Sequence, residues 1–142
     1  MRKIFLLSLV VAFVFTMVAP VQAAPYIEMD SPTVSSGSLT VIDFDKLPGT
    51  VTNASGLIMP AGFNNELQFY GKGAKVTTAG ATICFSFQGA RLGWKGKVYQ
   101  WTGTKWKALT TTITFAVEDG PVTACAYGYS GTYALLSWYS GN

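Results

Sequence analysis

From about residue 24 onward the chain alternates apolar and polar positions in twos, and nowhere sustains the recurrence of an amphipathic helix. The clearest run is Ala81 to Gln88, which sets Ile83, Phe85 and Phe87 on one face and Cys84 and Ser86 on the other. Thr111 to Val117 likewise aligns Ile113, Phe115 and Val117, and Glu118-Asp119-Gly120-Pro121 turns the chain after it. Lys97 to Trp101 and Lys105 to Leu109 read as the arms of a hairpin around Thr102-Gly103-Thr104. Val122 to Tyr127 and Thr132 to Tyr139 complete the second half, joined across Gly128 to Gly131. The first half carries shorter expected strands at Tyr26 to Met29, Leu39 to Phe44, Gly56 to Met59 and Glu66 to Tyr70. Ser31-Pro32, Ser35 to Ser38, Leu47-Pro48-Gly49, Pro60-Ala61-Gly62 and Gly71-Lys72-Gly73 read as the loops between them. About eight or nine short strands, with turn signals roughly every ten residues, predict an all-β fold: an antiparallel β-sandwich of immunoglobulin-like or Greek-key type.

The first 23 residues differ in kind. Arg2 and Lys3 precede a nearly unbroken apolar run, Ile4 to Val18, then Pro20, then Val21-Gln22-Ala23 with small residues at the −3 and −1 positions. That order is a cleavable secretory signal peptide with a helical apolar core. The run is shorter than the roughly 20 residues of a spanning helix. Cleavage leaves a single domain, Ala24 to Asn142, in a secreted, extracellular or cell-surface setting, or in a periplasm, with no expected membrane association. It also removes two positive charges, leaving eight basic residues against seven acidic ones. So balanced a chain gives no general attraction for nucleic acid.

Two cysteines occur, Cys84 and Cys125, both in expected strands, and in an oxidising compartment the expectation is one disulfide between them. With no histidine in the chain, Ser-His-Asp and Cys-His catalysis and histidine-ligated metals are excluded. Asp43 and Asp45 would point to one side of their expected strand, and Glu66, Glu118 or Asp119 would be the second carboxylate of a glycosidase pair. A solvated strand end for Asp43 and Asp45 and a β-turn for Glu118-Asp119 are the favoured reading. The expectation is no catalytic residue, no metal and no cofactor.

The run Ile83 to Phe87, then Val98-Tyr99-Gln100-Trp101-Thr102-Gly103-Thr104-Lys105-Trp106-Lys107-Ala108-Leu109, then Gly131-Thr132-Tyr133-Ala134-Leu135-Leu136, resembles the C-terminal half of immunoglobulin-like and ZU5-like sandwiches of secreted bacterial surface proteins. Met59-Pro60-Ala61-Gly62 is similar to the proline-glycine turn of their first half. The resemblance implies a fold and a compartment, and it brings no catalytic residue with it.

One local feature points to binding. Every basic residue after the leader except Lys46 lies between Lys72 and Lys107, where no acidic residue falls and where Trp94, Tyr99, Trp101 and Trp106 also lie. If Trp101 and Trp106 face each other across their hairpin, Tyr99 pairs with Ala108 on the same side. With the Val98 side toward the core, these rings form an exposed platform. Beside Lys95, Lys97 and Lys105, such a platform suits a cell-surface polysaccharide. With the aromatic side inward they are simply core. The last strand is apolar on both faces, so it is either central or covered by another chain. An apolar Tyr26 to Met29 ahead of a Ser-Gly loop would permit strand addition between copies. The sequence therefore predicts a non-catalytic adhesion or glycan-contacting module, or a structural subunit of an extracellular filament or sheath.

Overall fold

A period-two pattern buries one face of each strand, so two such sheets stack face to face. The computed structural model describes residues 29–52, 58–60, 68–69, 71–90, 93–115 and 120–139, and the predicted leader lies outside them. The strands are β1 (Thr33–Val34), β2 (Ser38–Ile42), β3 (Thr50–Thr52), β4 (Ile58–Pro60), β5 (Gln68–Phe69), β6 (Gly73–Thr77), β7 (Ala81–Phe87), β8 (Trp94–Trp101), β9 (Trp106–Ala108), β10 (Thr111–Phe115), β11 (Val122–Gly128) and β12 (Gly131–Tyr139). One sheet runs β1-β7-β11-β10, the other β2-β6-β12-β8-β9, and all pairings are antiparallel. β5 joins the second sheet on the edge of β12 that β6 also uses, and β3 with β4 forms a separate two-stranded ribbon. This is the expected all-β antiparallel sandwich, and its chain crosses between sheets at β1–β2, β6–β7, β7–β8, β9–β10 and β11–β12.

The main core lies between the sheets. Ile83, Phe85 and Phe87 from β7 meet Val122, Ala124 and Ala126 from β11, with Val76, Val98, Tyr133 and Leu135 opposite. The faces of β7 are those the alternation predicts. Cys84 and Cys125 sit directly opposite each other across β7 and β11, on the outward face, and form the expected disulfide. A closed disulfide fits an oxidising, non-cytoplasmic compartment. β12 is central, between β6 and β8, with Tyr133 and Leu135 in the main core and Ala134 and Leu136 in a second apolar cluster on the other face, so both apolar faces are covered without a second chain.

Several elements depart from the sequence reading. β6 starts at Gly73, the last residue of the expected Gly71-Lys72-Gly73 turn, and β1, β3 and the rest of β6 lie where no strand was expected. The strand expected at Leu39 to Phe44 ends at Ile42 and continues as a single 3₁₀ turn, Phe44–Lys46. Asp43 and Asp45 therefore lie around a turn and do not form an in-line pair on a strand. Of the expected Tyr26 to Met29 strand only Met29 is described, bridged to Phe87. Glu66, Glu118, Asp119 and Val117 lie outside the described residues.

Candidate functional site

The hairpin β8–β9 has the predicted register: Trp101 opposes Trp106, and Tyr99 opposes Ala108. The two indoles pack tilted, with ring centroids 5.5 Å apart. Alternation along β8 sends Trp94, Gly96 and Val98 toward the main core and Lys95, Lys97, Tyr99 and Trp101 to the outer face of the sheet. Trp94 is thereby separated from the other rings. It is only 7 % exposed and packs on Phe87 at 5.0 Å between centroids.

The Val98 side does face the core, yet the aromatic side is not an open platform. Tyr99, Trp106, Ala134 and Leu136 form a second apolar cluster on the outer face, closed by Leu47, with Ile42, Phe44 and Trp101 packed around it. The cover is the chain between β2 and β3. Its 3₁₀ turn presents Phe44, Leu47 follows, and the Pro48 carbonyl accepts a 3.0 Å hydrogen bond from Trp106 Nε1. Gly49, with φ of +61°, lets this strap pass close against the six-membered ring of Trp101, where any Cβ would collide with the indole. Trp106 is left 4 % exposed, and burial pushes the Tyr99 hydroxyl pKa up. An exposed ion pair, Lys46 Nζ to Asp43 Oδ2 at 2.9 Å, ties the start of the strap. It lowers the Asp43 pKa and raises that of Lys46. Of the seven residues singled out in the sequence, Lys95, Lys97 and Lys105 are exposed and Trp101 is half-buried. The other three rings are covered.

Among the described residues the exposed aromatic surface lies elsewhere, at the end of the sandwich where three crossovers meet: Ser35–Gly37, Thr78–Gly80 and Tyr129–Ser130. Side-chain hydroxyls knit them together. Ser130 Oγ accepts from the Thr78 amide and donates to the Thr78 carbonyl, both at 3.0 Å. Ser36 Oγ donates to the Gly80 carbonyl at 3.2 Å, and Ser35 Oγ accepts from the Thr82 amide at 2.9 Å. The Tyr133 hydroxyl, pushed up in pKa by burial, donates to the Tyr129 carbonyl from inside. On this frame Tyr127 and Tyr129 stand 60 % and 61 % exposed, edge to face at 5.7 Å. Tyr127 lies over Gly80, whose φ of +145° and lack of a Cβ make room for the phenol. Sequence reasoning took Gly128 to Gly131 as a mere connection. The available signal was the parity of β11, which turns Tyr127 outward with Cys125 while Ala124 and Ala126 turn inward.

Among the described residues no three His, Cys, Asp or Glu side chains cluster as metal ligands, and no helix is long and apolar enough to cross a membrane. Comparison with known proteins finds no matching family model, curated protein or solved structure.

Proposed function

We propose that this protein is an exported, non-catalytic binding module of the cell surface that contacts a neutral glycan through Tyr127 and Tyr129. The observation that carries this reading is the pair of tyrosines, more than half exposed, Tyr127 near the end of β11 and Tyr129 on the crossover that follows, which hydroxyl and backbone hydrogen bonds hold in place. A tyrosine ring offers a rigid apolar face for the C–H side of a pyranose and a phenol for its hydroxyls, at small conformational cost. Loops already tied in place lose little further freedom on binding. Ser35, Ser36, Gly37, Thr78, Ala79, Gly80, Tyr129 and Ser130 carry no charge, which favours a neutral polysaccharide over an anionic one. The exposed lysines Lys95, Lys97 and Lys105 belong to the β8–β9 hairpin of the other sheet, apart from Tyr127 on β11. Export is supported by the leader, Met1 to Ala23, and by the disulfide.

Affinity electrophoresis through gels carrying neutral polysaccharides tests the reading. The parent protein is retarded by at least one of them, and Tyr127→Ala/Tyr129→Ala migrates as in a plain gel with its melting temperature nearly unchanged. Retardation equal in parent and double variant, or none in either, contradicts it.

A further inference from the structure

The outer face of the smaller sheet is built without charge. Its strands β1, β7, β10 and β11 contain no Lys, Arg, Asp or Glu. Soluble surfaces ordinarily mix in charged residues at about a quarter to a third of positions. The outer face of the larger sheet follows that habit, with Lys75, Lys95 and Lys97 around the rings its strap covers. Asp30 meets the smaller sheet at the end away from Tyr127, where its amide donates to the Ser86 carbonyl at 3.0 Å.

Register sets the outward side chains of this face in three rows. Tyr127 stands opposite Thr82, next to the crossovers. Thr112, Cys125, Cys84 and Thr33 form the middle row, with the disulfide at its centre. Thr114, Thr123 and Ser86 form the last, and the Thr123 and Ser86 hydroxyls share a 3.0 Å hydrogen bond. Thr33, Thr82, Thr112 and Thr114 are exposed. Strand geometry spaces the rows by roughly 7 Å and the columns by roughly 5 Å. Apart from Tyr127, no side chain in the rows is longer than threonine, so hydroxyls, methyls and the disulfide lie in low relief.

Resting on the tyrosine reading, we infer that the ligand is an extended neutral polysaccharide chain, bound from Tyr127 and Tyr129 onward across the hydroxyl face of the smaller sheet. The face is continuous with the tyrosines, because Tyr127 belongs to its first row. Its lack of charge matches an uncharged ligand, against which a lysine or glutamate would be desolvated unpaired. Each threonine offers a hydroxyl that donates and accepts beside a methyl, the two kinds of surface that a sugar ring presents. Stiff at χ1 and set on paired strands, these side chains lose little freedom on contact. A fragment of a few sugars fills the tyrosine end alone. A long chain reaches the middle row and is held at more points.

Affinity electrophoresis in gels of glucomannan, xyloglucan or dextran, followed by calorimetric titration with oligosaccharides cut from the retarding polymer, tests this. The parent protein is expected to bind long oligosaccharides about tenfold more tightly than short ones. Thr33→Lys/Thr112→Lys removes that gain and leaves the affinity for short ones unchanged. Thr40→Lys, exposed beside Lys75 on the outer face of the other sheet, keeps the gain. Should the lysine pair fail to fold, Thr33→Val/Thr112→Val keeps the branched shape without the hydroxyls and loses about threefold or more for long chains. Equal affinity for short and long chains, or a gain that survives the face variants, overturns the inference and leaves the tyrosine reading standing. A parent that self-associates until the lysine pair separates it assigns the face to a second copy, and also overturns the inference. The tyrosine reading fails separately, when Tyr127→Ala/Tyr129→Ala leaves short-oligosaccharide binding intact. A parent retarded in none of the gels contradicts both.

Discussion

Aromatic side chains in this protein separate into those that hold the fold and those that stand free of it, and their response to truncation distinguishes them. Trp106 is sealed under the Leu47 strap and its indole N–H is used by Pro48. Trp106→Ala leaves a cavity the strap cannot close and is expected to cost about 3–5 kcal/mol by urea unfolding. Tyr129→Ala removes an exposed ring and is expected to change stability by about 0.5 kcal/mol or less. Tyr133 is intermediate in role: buried, yet pinning the Tyr129 carbonyl from below. Tyr133→Phe is expected to cost about 1 kcal/mol. It also loosens the crossover, visible as faster amide exchange at Tyr129 and Ser130. The pH dependence follows from the same burial. Tyr99 and Tyr133 both have raised pKa values, so the fold favours their protonated forms. The stability this contributes is complete below the ordinary tyrosine value of 10.0 and is lost as pH climbs from there through the folded-state values. Melts between pH 8 and 11 should therefore fall only above about pH 10, and less steeply in Tyr133→Phe.

At the scale of elements, β7, β10 and β11 were legible because alternation over several residues leaves little choice of face, and β12 and the β8–β9 hairpin were legible as strands though not in which face turns inward. β6 was not. Gly73-Ala74-Lys75-Val76-Thr77 opens on a glycine that reads as punctuation, and its buried residues are small enough to hide the period. Strand ends were also obscure. β2 stops at Ile42 because Phe44 and Leu47 are drawn onto the outer aromatic cluster, which no local pattern announces. The face of the hairpin was undecidable for the same reason. Both of its sides are buried, one between the sheets and one beneath a strap some fifty residues earlier in the chain. The disulfide belongs to this scale too, since Cys84 and Cys125 close a loop of 41 residues across two adjacent central strands. Replacing both with serine is expected to lower unfolding free energy by about 4 kcal/mol on the chain-entropy estimate. The denaturation midpoint should fall to match, with β7–β11 pairing retained.

For the whole molecule, the consequence is a division of surface. One face of the larger sheet is closed by its own strap, the outward face of the smaller sheet carries the disulfide, and the crossover end bears the open tyrosines. The aromatic-basic stretch between Lys72 and Lys107 has the residue types that suit glycan binding. The fold uses most of its rings as core and leaves the lysines on the surface. The contact surface proposed instead comes from Tyr127, at the end of an expected strand, and Tyr129, in what reads as a plain connection until three crossovers are brought together. Titration of the ¹⁵N-labelled protein with fragments of a retarding neutral polysaccharide, followed by amide correlation spectra, locates the contact directly. The account predicts shifts confined to Gly80, Tyr127, Gly128, Tyr129 and Ser130 and their neighbours in the crossovers. Shifts centred on Lys95, Lys97, Trp101 and Lys105, with the crossover amides unmoved, would contradict it.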